Sequence, residues 1–96
     1  MYTVKFTEIL DDVYTKLPPE IKTEAKKSLK TIAANPLSGK PLQDELFSYY
    51  TFRFMRYRIV YKIDGKLKRI VVHGIGHRST IYEYMTKLVR EGESSS

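Results

Sequence analysis

The dipeptide Asp64-Gly65 constrains this chain more than any other pair of residues, because it separates two runs of alternating polarity rich in β-branched and aromatic side chains. Tyr57-Arg58-Ile59-Val60-Tyr61-Lys62-Ile63 precedes it, and a second such run covers 66–76. A type I′ turn needs positive φ at both central residues, which Asp-Gly tolerates, so the spacing predicts an antiparallel hairpin. The run 49–54 is aromatic and alternating as well, and 2–6 is a short alternating segment; both read as strands.

A two-residue turn at Asp64-Gly65 pairs Ile63 with Lys66, Ile59 with Ile70, Arg58 with Val71 and Arg56 with His73. Parity then puts Tyr57, Ile59, Tyr61, Ile70 and Val72 on an apolar face for helices to cover. Arg58, Arg69, His73 and, if the strand runs on, His77 share the other face, interrupted by Val60 and Val71. If Met55-Arg56 is also a tight turn, Arg53 falls opposite Arg58 and Phe52 opposite Ile59, whereas a three-residue loop would reverse the parity of 49–54. Like charges directly opposite each other are destabilising unless an anion sits between them, and an RNA phosphate suits that place.

The remaining segments are helical. Thr7 reads as an N-cap, followed by Ile9, Val13 and Leu17 at four-residue intervals with Leu10 and Tyr14 beside them, and with Asp11 and Asp12 near the positive end. Pro18-Pro19 stops that helix and can open the next. In it Ile21, Ala25, Leu29 and Ile32 form a stripe, Lys22, Lys26, Lys27 and Lys30 point elsewhere, and Asn35-Pro36 ends the run. Residues 37–46 read as a loop. A last helix begins at Ser79 or Thr80, where Thr80 and Glu83 can form a capping box, and carries Ile81, Tyr84, Met85 and Leu88 on one face until Gly92.

Strands and helices in this order describe an α+β fold, with an N-terminal strand and a helical hairpin packed on a mainly antiparallel twisted sheet and a C-terminal helix. Ninety-six residues suit one domain, taken as 1–92, with 93–96 a polar tail. Seventeen Lys and Arg against eleven Asp and Glu leave a charge of +6, which favours nucleic acid or an acidic protein as partner. There is no cysteine for a disulfide or thiolate site, which fits a reducing compartment, and the alternating N-terminus does not read as a signal peptide. No stretch approaches a membrane span. The chain offers no H-E-x-x-H, no carboxylate cluster at metal spacing and no glycine-rich phosphate loop, Gly74-Ile75-Gly76 being too short, so no metal or cofactor is expected.

The element order, the run Tyr57-Arg58-Ile59-Val60-Tyr61, and the later Ile75-Gly76-His77-Arg78 with Ile81-Tyr82 resemble the RelE/ParE toxin superfamily over nearly the whole chain. The resemblance implies a cytoplasmic toxin with a cognate antitoxin, acting as a metal-independent endoribonuclease on messenger RNA in the ribosomal A site. Cleavage there is attack of a ribose 2′-OH on the adjacent phosphate, leaving a 2′,3′-cyclic phosphate. Arg58 matches the arginine of the family's YR-[LIV]-x-Y strand, Arg78 the arginine after the last strand, and Tyr82 the late tyrosine. His77 falls where several members carry a functional histidine or lysine. Arg53, Arg56 and Arg69 join these as candidate RNA-binding residues, and Lys26 and Lys30 as anchors on ribosomal RNA.

One departure concerns the base. RelE-type members commonly carry lysines on the strand before YR, where this chain has Thr51 and Arg53, and arginine is a poor proton acceptor. That leaves His77 as a candidate and Glu45, by likeness to members that use a glutamate, as a more distant one. Two rival functions remain: a ParE-like, non-catalytic inhibitor of DNA gyrase, and an inactive homologue that binds only its antitoxin.

Overall fold

The computed structural model describes residues 1–94. In chain order the elements are β1 (Thr3–Phe6), α1 (Glu8–Thr15), α2 (Pro19–Ala34), β2 (Lys40–Pro41), β3 (Tyr50–Phe54), β4 (Tyr57–Asp64), β5 (Arg69–His77) and α3 (Ile81–Ser94). The five strands lie side by side in the order β1-β5-β4-β3-β2. β1 runs parallel to β5 and every other neighbouring pair is antiparallel, which is the α+β arrangement expected.

The helical hairpin forms for the reasons its sequence suggests. Thr7 is extended (φ −69°, ψ 162°), and its hydroxyl oxygen accepts the Leu10 N–H at 3.2 Å, capping α1. The stripe facing inward is Leu10, Val13, Tyr14 and Leu17, while Ile9, expected among them, is 55% exposed. α2 starts at Pro19, and Ala25, Leu29 and Ile32 meet the sheet residues Ile59, Tyr61, Ile70, Val72 and Ile75. Burying each large side chain of this layer contributes about 1.5–3 kcal/mol.

The β4–β5 hairpin differs from its expected register. Asp64 pairs with Arg69 and Ile63 with Ile70, so four residues, 65–68, form the loop where a two-residue turn was expected. Asp64 acts as an acceptor here: its Oδ1 takes the Leu67 N–H at 3.1 Å, and Lys68 supplies the positive φ, 48°, that the sequence suggested for Gly65. A shift of four residues preserves parity, so Tyr61, Ile70 and Val72 still share the apolar face. A bulge then breaks it. Tyr61 pairs with Val72 but Val60 with Gly74, leaving His73 as the extra residue and moving Ile75 and His77 onto the Ile59 face.

At the other hairpin, the tight-turn alternative holds. Phe54 pairs with Tyr57, Arg53 with Arg58 and Phe52 with Ile59, across a turn whose first central residue, Met55, has φ 51°. A positive φ at that position alone is the φ pattern of a type II′ turn, reached without the glycine that usually supplies it.

The second face of the sheet is not open along its length. α3 lies across it, with Ile81, Met85 and Val89 buried over Val60, Leu46 and Tyr49. Gly74 and Gly76 are its seats: a Cβ on Gly74 would stand 2.8 Å from Met85 Sδ, and one on Gly76 3.1 Å from Ile81 Cδ1. Tyr84, expected on the buried stripe, is 40% exposed, and Val89 takes its place. The Thr80 N–H donates to the His77 carbonyl at 3.0 Å, so it is already satisfied without the Glu83 carboxylate of a capping box. The helix passes through Gly92 to Ser94, since glycine weakens a helix by about 1 kcal/mol without ending it. Of the expected tail 93–96, Ser95 and Ser96 lie outside the described residues. The segment read as a loop, 37–46, holds β2, the end of one short 3-10 turn, Pro36–Ser38, and the whole of another, Asp44–Leu46.

Candidate functional site

A groove of about 370 Å³ opens between β3, β4, the β2 segment and the start of α3, lined by Ser38, Lys40, Thr51, Phe52, Arg53, Arg58 and Tyr82. Its floor follows from register. Arg53 and Arg58 are directly opposed across the antiparallel pair, and Thr51 lies one row further along, opposite Val60 on one side and Lys40 on the other. Tyr82, in the first turn of α3, brings its hydroxyl to 3.5 Å from Thr51 Oγ1.

Arg58 is half-buried, and its Nη1 donates to the Tyr57 carbonyl at 3.1 Å, which steadies the guanidinium while leaving other donors available. Neither Arg53 nor Arg58 forms an ion pair with a carboxylate among the described residues. The groove's lining contains three cationic side chains and no acidic one. A phosphate placed there would relieve the repulsion between the opposed arginines and receive forked donors from both.

The other candidates lie outside this lining. His77 ends β5 opposite Tyr57, on the α1–α2 side of the sheet, so it does not share a face with Arg58 as the expected register had it. Its ring stands edge-on to Tyr57 at 6.0 Å between centroids. Its Nδ1 accepts the Ser79 N–H at 3.2 Å and lies 2.8 Å from the Ser79 hydroxyl, so the neutral ring carries its proton on Nε2. Arg78 is exposed on the turn joining Gly76, the cross-strand partner of Arg58, to the helix of Tyr82; its N–H donates to the Arg56 carbonyl at 2.8 Å. Arg56 is exposed on the β3–β4 turn. Arg69 lies at the far end of β5, with Nη2 3.8 Å from Asp64. Lys26 and Lys30 are exposed on α2, a different layer from the groove.

Glu45 is held elsewhere. Arg90 donates to its two carboxylate oxygens at 3.0 and 2.7 Å, and this bidentate pairing lowers the carboxyl's pKa from its ordinary value, the opposite of what a base requires. Arg90 is eight residues beyond Tyr82, roughly 12 Å along the helix. His73 is also internally occupied: burial first, and the Lys62 charge second, lower its pKa, and its ring meets Tyr49 edge-on at 5.2 Å. Among the described residues, no three His, Asp or Glu side chains gather as a metal site.

Ser38, Lys40 and Thr51 are groove residues that the sequence reading passed over as loop or as a gap in a pattern. The signal was faint: a two-residue strand has no periodicity, and Lys40 is one lysine among many.

Fold and groove together define a small α+β protein whose sheet presents an arginine-lined cleft. A family model described as "ParE toxin of type II toxin-antitoxin system, parDE" matches residues 1–82, and the chain belongs to the RelE/ParE superfamily of type II toxin–antitoxin toxins. Toxin RelG of Mycobacterium tuberculosis is 35% identical over 83 residues, covering 84% of this chain and 95% of the relative. The toxin–antitoxin complex RelBE2 of Mycobacterium tuberculosis superposes with a TM-score of 0.73 at 33% identity, over 79% of this chain and 96% of that one. The isolated E. coli RelE toxin, at 21% identity, shares the fold with a TM-score of 0.71 over 80% of this chain and 84% of its own. Among the described residues no helix is long and apolar enough to cross a membrane.

Proposed function

We propose that this chain is an mRNA endoribonuclease of the RelE type, acting on transcripts in the ribosomal A site and held in check by a cognate antitoxin. The observation that carries this reading is the directly opposed pair Arg53 and Arg58 in one groove with Tyr82. Two guanidinium forks on facing strands are suited to the non-bridging oxygens of one phosphate, where charge grows as the 2′-oxygen attacks. The new P–O2′ bond forms as the P–O5′ bond breaks, giving a 2′,3′-cyclic phosphate and a free 5′-hydroxyl. Tyr82 stacks on a base or offers its hydroxyl near the phosphate. Arg78 acts from the β5–α3 turn; His77, which ends β5 on the opposite face from Arg58, takes part in proton transfer through Nε2 only where the RNA also passes that strand end. Arg56, Arg69, Lys26 and Lys30 serve as longer-range contacts to RNA, including ribosomal RNA.

Primer extension on translated transcripts after brief expression tests the class: cuts inside codons are expected, and intact transcripts with inhibited DNA supercoiling would favour the gyrase-binding rival. Arg58→Ala and Arg78→Ala should each slow cleavage on the order of a hundredfold without unfolding the chain. His77→Ala should flatten one limb of the pH–rate profile, and near-normal cleavage by Tyr82→Phe would assign that ring to stacking. Cleavage should survive treatment of the toxin with EDTA once magnesium is restored for the ribosomes. The +6 charge favours an acidic antitoxin segment, whose association rate should fall as salt rises.

A further inference from the structure

We propose that Lys40 is a phosphate-contacting cation of the groove and that Tyr61, buried in the central strand, is the residue that positions it; the proposal rests on the nuclease reading above. Lys40 sits in a strand of two residues, which is too short to fix itself by pairing alone. It nevertheless stands in a defined place, opposite Thr51 in the row next to the Arg53–Arg58 pair, about 7 Å along the strand. Three cations thereby face one cleft from three neighbouring strands.

What holds the segment is a side chain from beneath. Tyr61 donates its hydroxyl to the Pro36 carbonyl at 2.6 Å and accepts the Gly39 N–H at 3.2 Å. One phenol oxygen thus ties both ends of the turn that precedes Lys40. Its ring is fully buried and stacks on Tyr50 at 5.7 Å, so the anchor point belongs to the rigid core. Burial raises the Tyr61 pKa, which keeps the hydroxyl protonated as a donor to Pro36. Gly39 completes the latch by having no side chain: a Cβ there would lie 2.5 Å from the Tyr61 oxygen and 2.7 Å from the Thr51 carbonyl oxygen. Its φ of −85° is ordinary, so close approach rather than backbone strain explains the glycine.

The test uses the full chain and two probes. In ribosome-dependent cleavage, Lys40→Ala should slow the rate tenfold or more and Lys40→Arg should recover most of it. Tyr61→Phe should slow cleavage in the wild-type background and add little in the Lys40→Ala background, the non-additivity of residues that act as one unit. Gly39→Ala, which disturbs the same latch from outside the core, should behave like Tyr61→Phe and serves if that variant folds poorly. A 2′-O-methyl RNA oligonucleotide offers phosphates without the attacking hydroxyl. Against it, Lys40→Ala should lower the slope of log affinity against log salt by about 0.7, the release expected for one contact to a single strand. An unchanged slope, or wild-type cleavage by Lys40→Ala while Arg58→Ala is inactive, would overturn the role of Lys40 and leave the nuclease reading standing. Chains that bind the oligonucleotide with the expected slopes yet cut nothing would sink the nuclease reading instead. Additive losses for Lys40→Ala and Tyr61→Phe would remove Tyr61 as its positioning residue.

Discussion

The two ends of the α3-covered face both carry cationic side chains and put them to different use. At one end Arg53 and Arg58 oppose each other with Lys40 nearby, and none of the three has a carboxylate partner among the described residues. At the other end the cations are engaged. The Lys62 ammonium lies 4.7 Å from the Tyr49 ring centre, Arg69 faces Asp64, and His73 is partly buried against Tyr49. A basic surface marks a site where its charges lack internal partners, since those are the charges that a bound anion can satisfy.

The sharpest way to break this contrast is to remove one arginine from each end. Arg58→Ala should cost on the order of a hundredfold in cleavage rate, because a forked donor aimed at the developing charge is lost. Arg69→Ala removes a guanidinium from a half-buried pair with Asp64; as a longer-range RNA contact it should weaken binding slightly while leaving the rate of cleavage at bound mRNA nearly unchanged. Rates measured by primer extension, with circular dichroism as the folding control, decide it. Equal losses would mean that the two ends form one continuous surface and that the division by α3 has no functional meaning.

That division is also what the sequence concealed. The helical hairpin was legible from its stripes, caps and proline boundary, because local patterns suffice there. The opposed arginines were legible only conditionally, since Met55-Arg56 makes its tight turn with a non-glycine residue at positive φ. Two features escaped the reading. The Asp64-Gly65 signal suggested a two-residue turn, but Asp64 caps a four-residue loop instead; the bulge at His73 then moved His77 away from Arg58. Neither is encoded by a propensity, because a bulge reflects how β4 and β5 pair over their whole length. Val60 gave a further clue, as an apolar residue on a face otherwise read as basic, and Gly74 opposite it, with Gly76 one row on, made room for the helix that buries it.

The packing of that helix yields the next largest effect. Gly74→Val would place its branched side chain where Met85 Sδ already lies 2.8 Å from a bare Cβ, with Ile81 Cδ1 at 3.2 Å. The resulting overpacking should destabilise the fold by about 1–3 kcal/mol, read as a shift in the denaturation midpoint. Gly65→Val is the companion variant, since nothing lies within 4 Å of a Cβ at Gly65 and its φ is not positive. If Gly74→Val proved as mild as Gly65→Val, α3 would be loosely seated and the barrier between the two basic regions would be weaker than the packing indicates.

The smallest effect sharpens the quiet end of the face through pH. Burial, and then the Lys62 charge, hold the His73 pKa below the ordinary 6.5, so the folded chain takes up this proton at lower pH than the unfolded chain does. The sign follows from linkage. Above pH 6.5 both states leave the ring neutral and the residue adds no pH dependence; as pH falls through 6.5 the unfolded state binds the proton first, and stability drops until the folded-state value is passed. His73→Phe keeps an aromatic edge against Tyr49 and removes the titration. The difference in melting temperature between wild type and His73→Phe should therefore be constant above about pH 6.5 and move steadily in the variant's favour below it. Parallel acid sensitivity in wild type and His73→Phe would mean that His73 is not buried as a neutral ring. This end of the sheet would then be open to an anion, as the arginine end is.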